Sequence, residues 1–330
     1  VLVTGATGFV GINIVHKLAA RGRRVIALTR REPDAATMQF LGELQSAVQF
    51  MIGDVRDRDG LRQLVQQHQV RRIVHAAAVT PPLEIEQTEP SMVVDVNLGG
   101  TLNVLEAARR NHVERVVMIS STAVYGAPAD RRRLIREDDP LQIDNLYTIC
   151  KQAGEQLCRR YATLFQLSTV VGRLGTAYGP MERGTASRQR MSPVHVLAHA
   201  ALEQRPLKLY GIELLRDVCS IDDVAEAFAR LVDAEHLTWD IYNVSAGQSH
   251  SLREIATVMT TLIPTLQWQE TSDAVEASIA VFPASERGPL DLSRLHNDLD
   301  FRPQYQLEDG LRHYLHWLGA TASSAPSNSN

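Results

Sequence analysis

The opening of the chain limits its fold more than any other stretch. A short apolar run, Val1-Leu2-Val3, leads into three glycines spaced G-x-x-G-x-x-G at Gly5, Gly8 and Gly11. Residues 12–21 then continue with helical spacing. Such a segment is a strand, a tight turn and a helix N-terminus. Glycine lets the backbone turn sharply and approach a ligand without a Cβ clash. The helix start adds unpaired N–H groups and the positive end of a dipole, which suit a pyrophosphate. The spacing differs from the common G-x-G-x-x-G. By itself it also fits an ordinary strand-to-helix turn, so later residues carry the argument.

Those residues repeat the pattern. Residues 24–29 read as a second strand, 48–54 as a third ending in Gly53-Asp54, 72–78 as a fourth running into Ala76, Ala77 and Ala78, and 115–120 as a fifth. Helical spacing at 61–68, 89–111 and 146–165 separates them, and 167–173 is a sixth strand. Alternation at this pace predicts an α/β fold, a Rossmann-type doubly wound parallel sheet covered on both faces. Ligands of such sheets bind beyond the carboxyl ends of the strands. The glycine turn, Asp54, the three alanines and Ser120-Ser121 all fall there.

The predicted division is a dinucleotide-binding domain over 1–176, to which 221–245 returns. A smaller, helix-rich substrate-binding region covers 177–220 and 246–318. Residues 181–191 are polar and form a candidate lid. Residues 319–330 are rich in Ser, Ala and Asn and read as a disordered tail. With 44% apolar residues the chain can bury a sizeable core, and a net charge of -4 gives no reason to expect nucleic acid as a partner. No apolar run has the length of a membrane span. Cys150, Cys158 and Cys219 make neither a disulfide framework nor a zinc pattern, which suits a reducing compartment and a cytoplasmic location. His75, His195 and His199 lack metal-ligand spacing, so no metal is expected.

The end of the second strand bears on the cofactor. An acid there would hold the 2′-hydroxyl of NAD, and an arginine would accommodate the 2′-phosphate of NADP. The sequence has Thr29-Arg30-Arg31, so Arg30 favours NADP over NAD; a solvated basic turn is the alternative. Tyr147 and Lys151 lie four apart, on one helical face. An ammonium beside a phenol favours the phenolate, so Tyr147 is expected to work as an acid or base near neutrality. Ser121 is placed to hydrogen-bond the substrate oxygen.

Together these residues resemble the extended short-chain dehydrogenase/reductases of the NAD-dependent epimerase/dehydratase family. The resemblance rests on Thr4-Gly5-Ala6-Thr7-Gly8-Phe9-Val10-Gly11, His75-Ala76-Ala77-Ala78, Asn97-Leu98-Gly99-Gly100-Thr101, Ser120-Ser121-Thr122-Ala123-Val124-Tyr125-Gly126, Tyr147 with Lys151, Tyr178-Gly179-Pro180 and Arg216-Asp217. It implies a catalytic set of Ser121, Tyr147 and Lys151. It places the cofactor against Gly5, Thr7, Gly8, Phe9, Val10, Gly11, Asp54, Val55, Ala76, Ala77, Ala78, Asn97 and Ser120. It implies a substrate site at Thr80, Ser121, Tyr147, Thr176, Arg216 and Arg287, with Arg216 on a nucleotide-sugar phosphate and Arg287 as a second candidate.

Two departures matter. Dehydratases of the family show Thr-Asp-Glu where this chain has Ser121-Thr122-Ala123, so elimination of water is disfavoured. Nucleotide-sugar epimerases place Asn where Thr176 stands. The expected activity is hydride transfer on a sugar hydroxyl, in the manner of a nucleotide-sugar 4-epimerase. The alternatives are an NADP-dependent dehydrogenase or reductase of a free sugar, sugar acid or small carbonyl, and a non-catalytic NAD(P)-sensing protein. The helices at 89–111 and 146–165 are expected to pair across a two-fold axis in a homodimer.

Overall fold

Alternating strands and helices build a doubly wound sheet in the computed structural model, which describes residues 1–127, 130, 132–185 and 187–324. Six strands come first: β1 (Leu2–Thr4), β2 (Val25–Thr29), β3 (Val48–Ile52), β4 (Arg72–His75), β5 (Arg115–Ser121) and β6 (Ser168–Leu174). β7 (Thr176–Tyr178), β8 (Leu207–Tyr210) and β9 (Leu215–Ser220) leave for smaller sheets, and β10 (Ile241–Val244) returns to the large one. The seven strands are ordered β10-β6-β5-β4-β1-β2-β3, and every neighbouring pair is parallel. The order reverses between β1 and β4, which opens a crevice at their carboxyl ends.

The helices are α1 (Phe9–Ala20), α2 (Ala35–Leu41), α3 (Arg58–Gln67), α4 (Leu83–Thr88), α5 (Pro90–Val94), α6 (Gly100–Arg110), α7 (Leu146–Phe165), α8 (Pro193–Leu202), α9 (Ile221–Asp233), α10 (Leu252–Leu262), α11 (Ser293–Leu299) and α12 (Leu307–Ser324). Helices α1 and α9 cover one face of the large sheet, and α3, α6 and α7 the other. The period of two along β5 shows why both faces need cover. Val117 and Ile119 enter the α1/α9 core, while Val116 and Met118 enter the α3/α6/α7 core. A third core joins α8, α10 and α12 to β8 and β9. There β11 (Ser249–Ser251) completes a sheet with β9 and β7, and β12 (Trp268–Glu270) and β13 (Ile279–Ala280) flank β8.

Two expectations change. The helix expected over 89–111 is interrupted by a π-helical turn, Asp95–Gly99, between α5 and α6. Its wider turn lets Asn97 reach the loop after β4, where its amide holds both the N–H and the C=O of Val79 at 2.9 Å. The first part of the tail expected from 319 is helical instead, because α12 runs through Ser324. Alanine has the highest helix propensity, and no proline intervenes before Pro326. Residues 325–330 lie outside the described residues.

Candidate active site

The glycine turn forms because little else fits. Gly5 has φ +64°, and a Cβ there would stand 2.7 Å from Ala77 Cα. A Cβ on Gly11 would collide with the Gly5 carbonyl. Gly8 is the N-cap of α1, extended and without a side-chain cap, so the first-turn amides face outward from the helix end. Beside this turn lies a cavity of about 480 Å³. Its floor is Gly5, Thr7 and Gly8, and its far end is Thr29, Arg30, Asp54 and Val55. Ala76, Ala77 and Ala78 line the end nearest β5. Residues at a turn that admits no Cβ, a helix N-terminus and small side chains together fit a dinucleotide.

The far end of the cavity is basic. Thr29 stands where an acid would hold a ribose diol, and its hydroxyl bonds the Thr7 hydroxyl at 2.9 Å. Arg30 is exposed and lines the cavity. Asp54 is gripped by Arg56, whose hydrogen bonds hold its carboxyl below the usual range. Phe9, Val10 and Gly11 stand behind the cavity wall as the start of α1. Asn97 acts one layer back, through Val79. The Ser120 hydroxyl turns away from the cavity and donates to Glu155 Oε1 at 2.6 Å, because successive β5 side chains alternate in direction. Its expected cofactor contact is therefore not through the side chain.

Ser121, Tyr147 and Lys151 are brought together. A capping box of Asn145 and Thr148 starts α7 and puts Tyr147 in its first turn. Ser121 ends β5, and its side chain lies close enough to the Tyr147 phenol to lower its titration. Lys151 Nζ lies 5.6 Å from the centre of the Tyr147 ring and donates to the Ile119 carbonyl at 2.8 Å. The electrostatics differ from the sequence expectation. Burial pushes the Tyr147 phenol up, and the nearby Ser121 side chain and the charge of Arg188 pull against it. Lys151 is itself desolvated, and burial lowers it to about 8. A cation held on a carbonyl beside the ring does not reverse the cost of burying the phenolate. His75 is a core residue. Its ring bonds the hydroxyls of Thr4 and Thr101, and burial lowers it to about 3.

Residues 1–245 match the model of the NAD dependent epimerase/dehydratase family. The chain belongs to this family. A UDP-glucose 4-epimerase of Mycolicibacterium smegmatis is 29% identical over 316 residues, covering 94% of this chain and 95% of that one. A UDP-glucuronate 4-epimerase of Thermodesulfobacterium geofontis is 27% identical, over 96% and 95% of the two chains. The crystal structure of a Thermus thermophilus UDP-glucose 4-epimerase complex with NAD superposes with a TM-score of 0.80 at 28% identity, covering 97% and 99%.

In this epimerase/dehydratase the two arginines expected on the substrate side converge. Thr176, Arg216 and Arg287 line one small recess with Thr122 and Ser285. Among the described residues, Nε of both arginines is buried without a hydrogen-bond partner. Burial, and then the charge of Arg216, lowers Arg287 to about 10. The acid next in sequence is occupied: Asp217 accepts from Ser245 Oγ at 2.7 Å and from the amides of Ala246, Gly247 and Leu290, each at 3.0 Å. Two buried guanidinium groups in one recess suit an anion. Thr80 sits elsewhere. It is exposed, and its hydroxyl and amide both donate to the Ser187 carbonyl.

Sequence reasoning missed the strap that Thr80 holds. Arg183 reaches Asp34 at 2.7 Å across the cavity mouth, and Arg188 lies over the Phe9 ring at 5.0 Å. Polar composition marked 181–191 as a candidate lid, but no periodicity there tells which arginine lands where. Ala186, within that span, lies outside the described residues. Among the described residues no cluster of His, Cys, Asp or Glu could hold a metal, and no helix is long and apolar enough to cross a membrane.

Proposed function

We propose that this enzyme is a nucleotide-sugar 4-epimerase. The observation that carries the reading is Tyr147 in the first turn of α7 with Lys151 Nζ 5.6 Å from its ring centre, and Ser121 at the end of β5 next to Thr122 of the Arg216/Arg287 recess. Ala76, Ala77 and Ala78 would border the nicotinamide, which would supply a reversible hydride acceptor when bound. Tyr147 takes the proton of the sugar hydroxyl as a ketone forms, and returns it after the sugar has turned. Ser121 holds the reacting oxygen. Lys151 anchors α7 to β5 and places its ammonium beside the tyrosine ring. Arg216 and Arg287 hold the diphosphate, so the sugar can rotate while its nucleotide stays fixed. The smaller cores and sheets of 177–220 and 246–318 serve as the substrate-binding region. Thr122 and Ala123 follow Ser121 and carry no carboxyl, which disfavours elimination of water.

Incubation with UDP-glucose, UDP-glucuronate and related nucleotide sugars tests the reading. The expected result is an isomer formed with no net change in cofactor absorbance. Net oxidation of NADPH by a carbonyl would favour the reductase alternative, which Thr29 and Arg30 support. The cofactor is NADP in preference to NAD on the same ground. Arg30→Ala should weaken NADP about tenfold more than NAD, as loss of one phosphate contact would; equal effects would refute the preference. A Tyr147→Phe variant as active as the wild type would revive the sensing reading. The free buried cysteines accord with the cytoplasm. Leu102 on α6 and Ile149 on α7 are exposed and support a homodimer through these helices, which a monomeric mass at micromolar concentration would overturn.

A further inference from the structure

We propose that Asp217 is a positioning residue for the substrate recess: one buried carboxylate joins the stretches of chain that carry Thr176, Arg216 and Arg287, and so sets how the two guanidinium groups meet a diphosphate. The proposal deepens the reading above and rests on a nucleotide sugar occupying that recess.

Asp217 follows Arg216 on β9, lines the recess and is 5% exposed. Its Oδ1 accepts from Ser245 Oγ at 2.7 Å and from the Ala246 amide at 3.0 Å. Its Oδ2 accepts from the amides of Gly247 and Leu290, each at 3.0 Å. Residues 245–247 are the turn after β10, and Leu290 lies shortly beyond Arg287 in the chain. The near end of that second stretch is held separately, by the Arg287 amide on the Leu215 carbonyl at 3.1 Å. Thr176 is reached through its neighbour. A Cβ on Gly175 would stand 2.1 Å from Ser245 Oγ, so Ser245 packs directly on the backbone before β7. β7 in turn pairs with β9, Thr176 opposite Val218. The walls of the recess thus meet at one side chain.

The arginines depend on this joint because their own side chains do little to place them. Nε of Arg216 and of Arg287 is buried and, among the described residues, has no partner. Arg287 Nη1 bonds the Ser285 carbonyl at 3.4 Å, within its own stretch of chain. Where the guanidinium groups stand is therefore set by the backbones that carry them, and those are what Asp217 fixes. The task needs an acid. A carboxylate accepts at about four lone-pair sites and donates nothing, whereas an amide has one accepting oxygen and one donating nitrogen. All the donors to Asp217 are uncharged, so it organises the recess without pairing off either guanidinium.

The test uses the full chain with cofactor bound. Calorimetry measures the affinity of UDP and of inorganic pyrophosphate for the wild type, Asp217→Asn, Ser245→Ala, Arg216→Met and the double variant Arg216→Met with Asp217→Asn. Asparagine keeps the shape but can serve the donors at only one of the two oxygens. Asp217→Asn should bind both probes about tenfold more weakly, as partial loss of a charge-assisted contact would. With a nucleotide sugar that is turned over, KM should rise to match while kcat stays within about twofold. Cofactor affinity should not move. Ser245→Ala removes a single hydrogen bond and should weaken the probes about threefold. Arg216→Met should cost about tenfold by itself, and the double variant about thirtyfold, short of the roughly hundredfold that independent effects would give. Probe affinity unmoved in Asp217→Asn would overturn the proposal. So would the full product in the double variant, or an equal loss of cofactor and probe affinity; either would leave Asp217 a residue of the fold alone. If Asp217→Asn does not fold, Ser245→Ala decides, and unmoved pyrophosphate affinity there overturns the proposal. A wild type that binds neither probe would sink the nucleotide-sugar reading and this proposal with it. A wild type that binds both, beside variants that bind them equally well, would sink this proposal alone.

Discussion

Glu155→Ala should destabilise the protein severely, and the structure says by how much. Glu155 lies one turn beyond Lys151 on α7 and is 1% exposed; Arg173 on β6 is 3% exposed. Arg173 Nε and Nη2 donate to the two carboxylate oxygens at 3.0 and 2.7 Å. Nη1 donates to Tyr125 OH and to the Glu137 carbonyl. Burial pulls the Arg173 guanidinium down, and the Glu155 carboxylate together with Tyr125 more than reverses that. Removing the carboxylate leaves a buried cation without a counter-ion, a loss of about 3–5 kcal/mol. Ser120 also loses its acceptor, for about 1 kcal/mol more. Against a total stability of about 5–15 kcal/mol this is a large fraction. Urea unfolding of Glu155→Ala, Arg173→Met and the double variant Glu155→Leu with Arg173→Met measures it. The double variant should recover most of the loss, since an apolar pair needs no counter-charge. A loss below about 1 kcal/mol in Glu155→Ala, the range of exposed pairs, would refute the reasoning. So would a double variant no better than the single one.

Other consequences are smaller or more local. Lys151→Met should abolish turnover yet stabilise the fold at neutral pH by about 1–3 kcal/mol, since the native state holds a desolvated ammonium. The sign follows from Lys151 titrating at about 8 in the folded chain against 10.5 as a free side chain, so the penalty is full below 8 and fades toward 10.5. Thermal melts at pH 7 and 10 would show the advantage shrinking, and a less stable variant at pH 7 would contradict it. Arg216→Met should raise KM for a nucleotide sugar at least about tenfold with kcat little changed, as loss of a charge-assisted phosphate contact would; steady-state kinetics decide it. Gly5→Ala places a methyl against the Ala77 backbone at a positive φ. Cofactor titration by fluorescence should find binding weakened at least about tenfold, for a strain of about 1 kcal/mol from φ together with the clash.

Much of the molecule was legible because it is local. Apolar runs of one length and helical stretches of another dictate a parallel sheet. Glycines at 5, 8 and 11 dictate a turn that only a residue lacking Cβ can make. A spacing of four puts Lys151 beside Tyr147, and period-two alternation separates Ser121 from Ser120. These are properties of backbone geometry, and the chain carries them wherever it is read. The family resemblance alone implies Arg216 and Arg287 as phosphate candidates, and only the fold brings them into one recess.

Tertiary structure alone decided the electrostatics. Whether a lysine acidifies a phenol depends on which atoms each faces and how far water is excluded, and here Lys151 turned to a backbone carbonyl while Tyr147 was half-buried. The strap had no periodicity to read, so only its long-range contacts to Asp34, Thr80 and Phe9 show where Arg183 and Arg188 come to rest. Spacing along the chain sets which side chains share an element. Burial and charge at a point in space come from elements far apart in sequence, and those exist only once the sheet has closed.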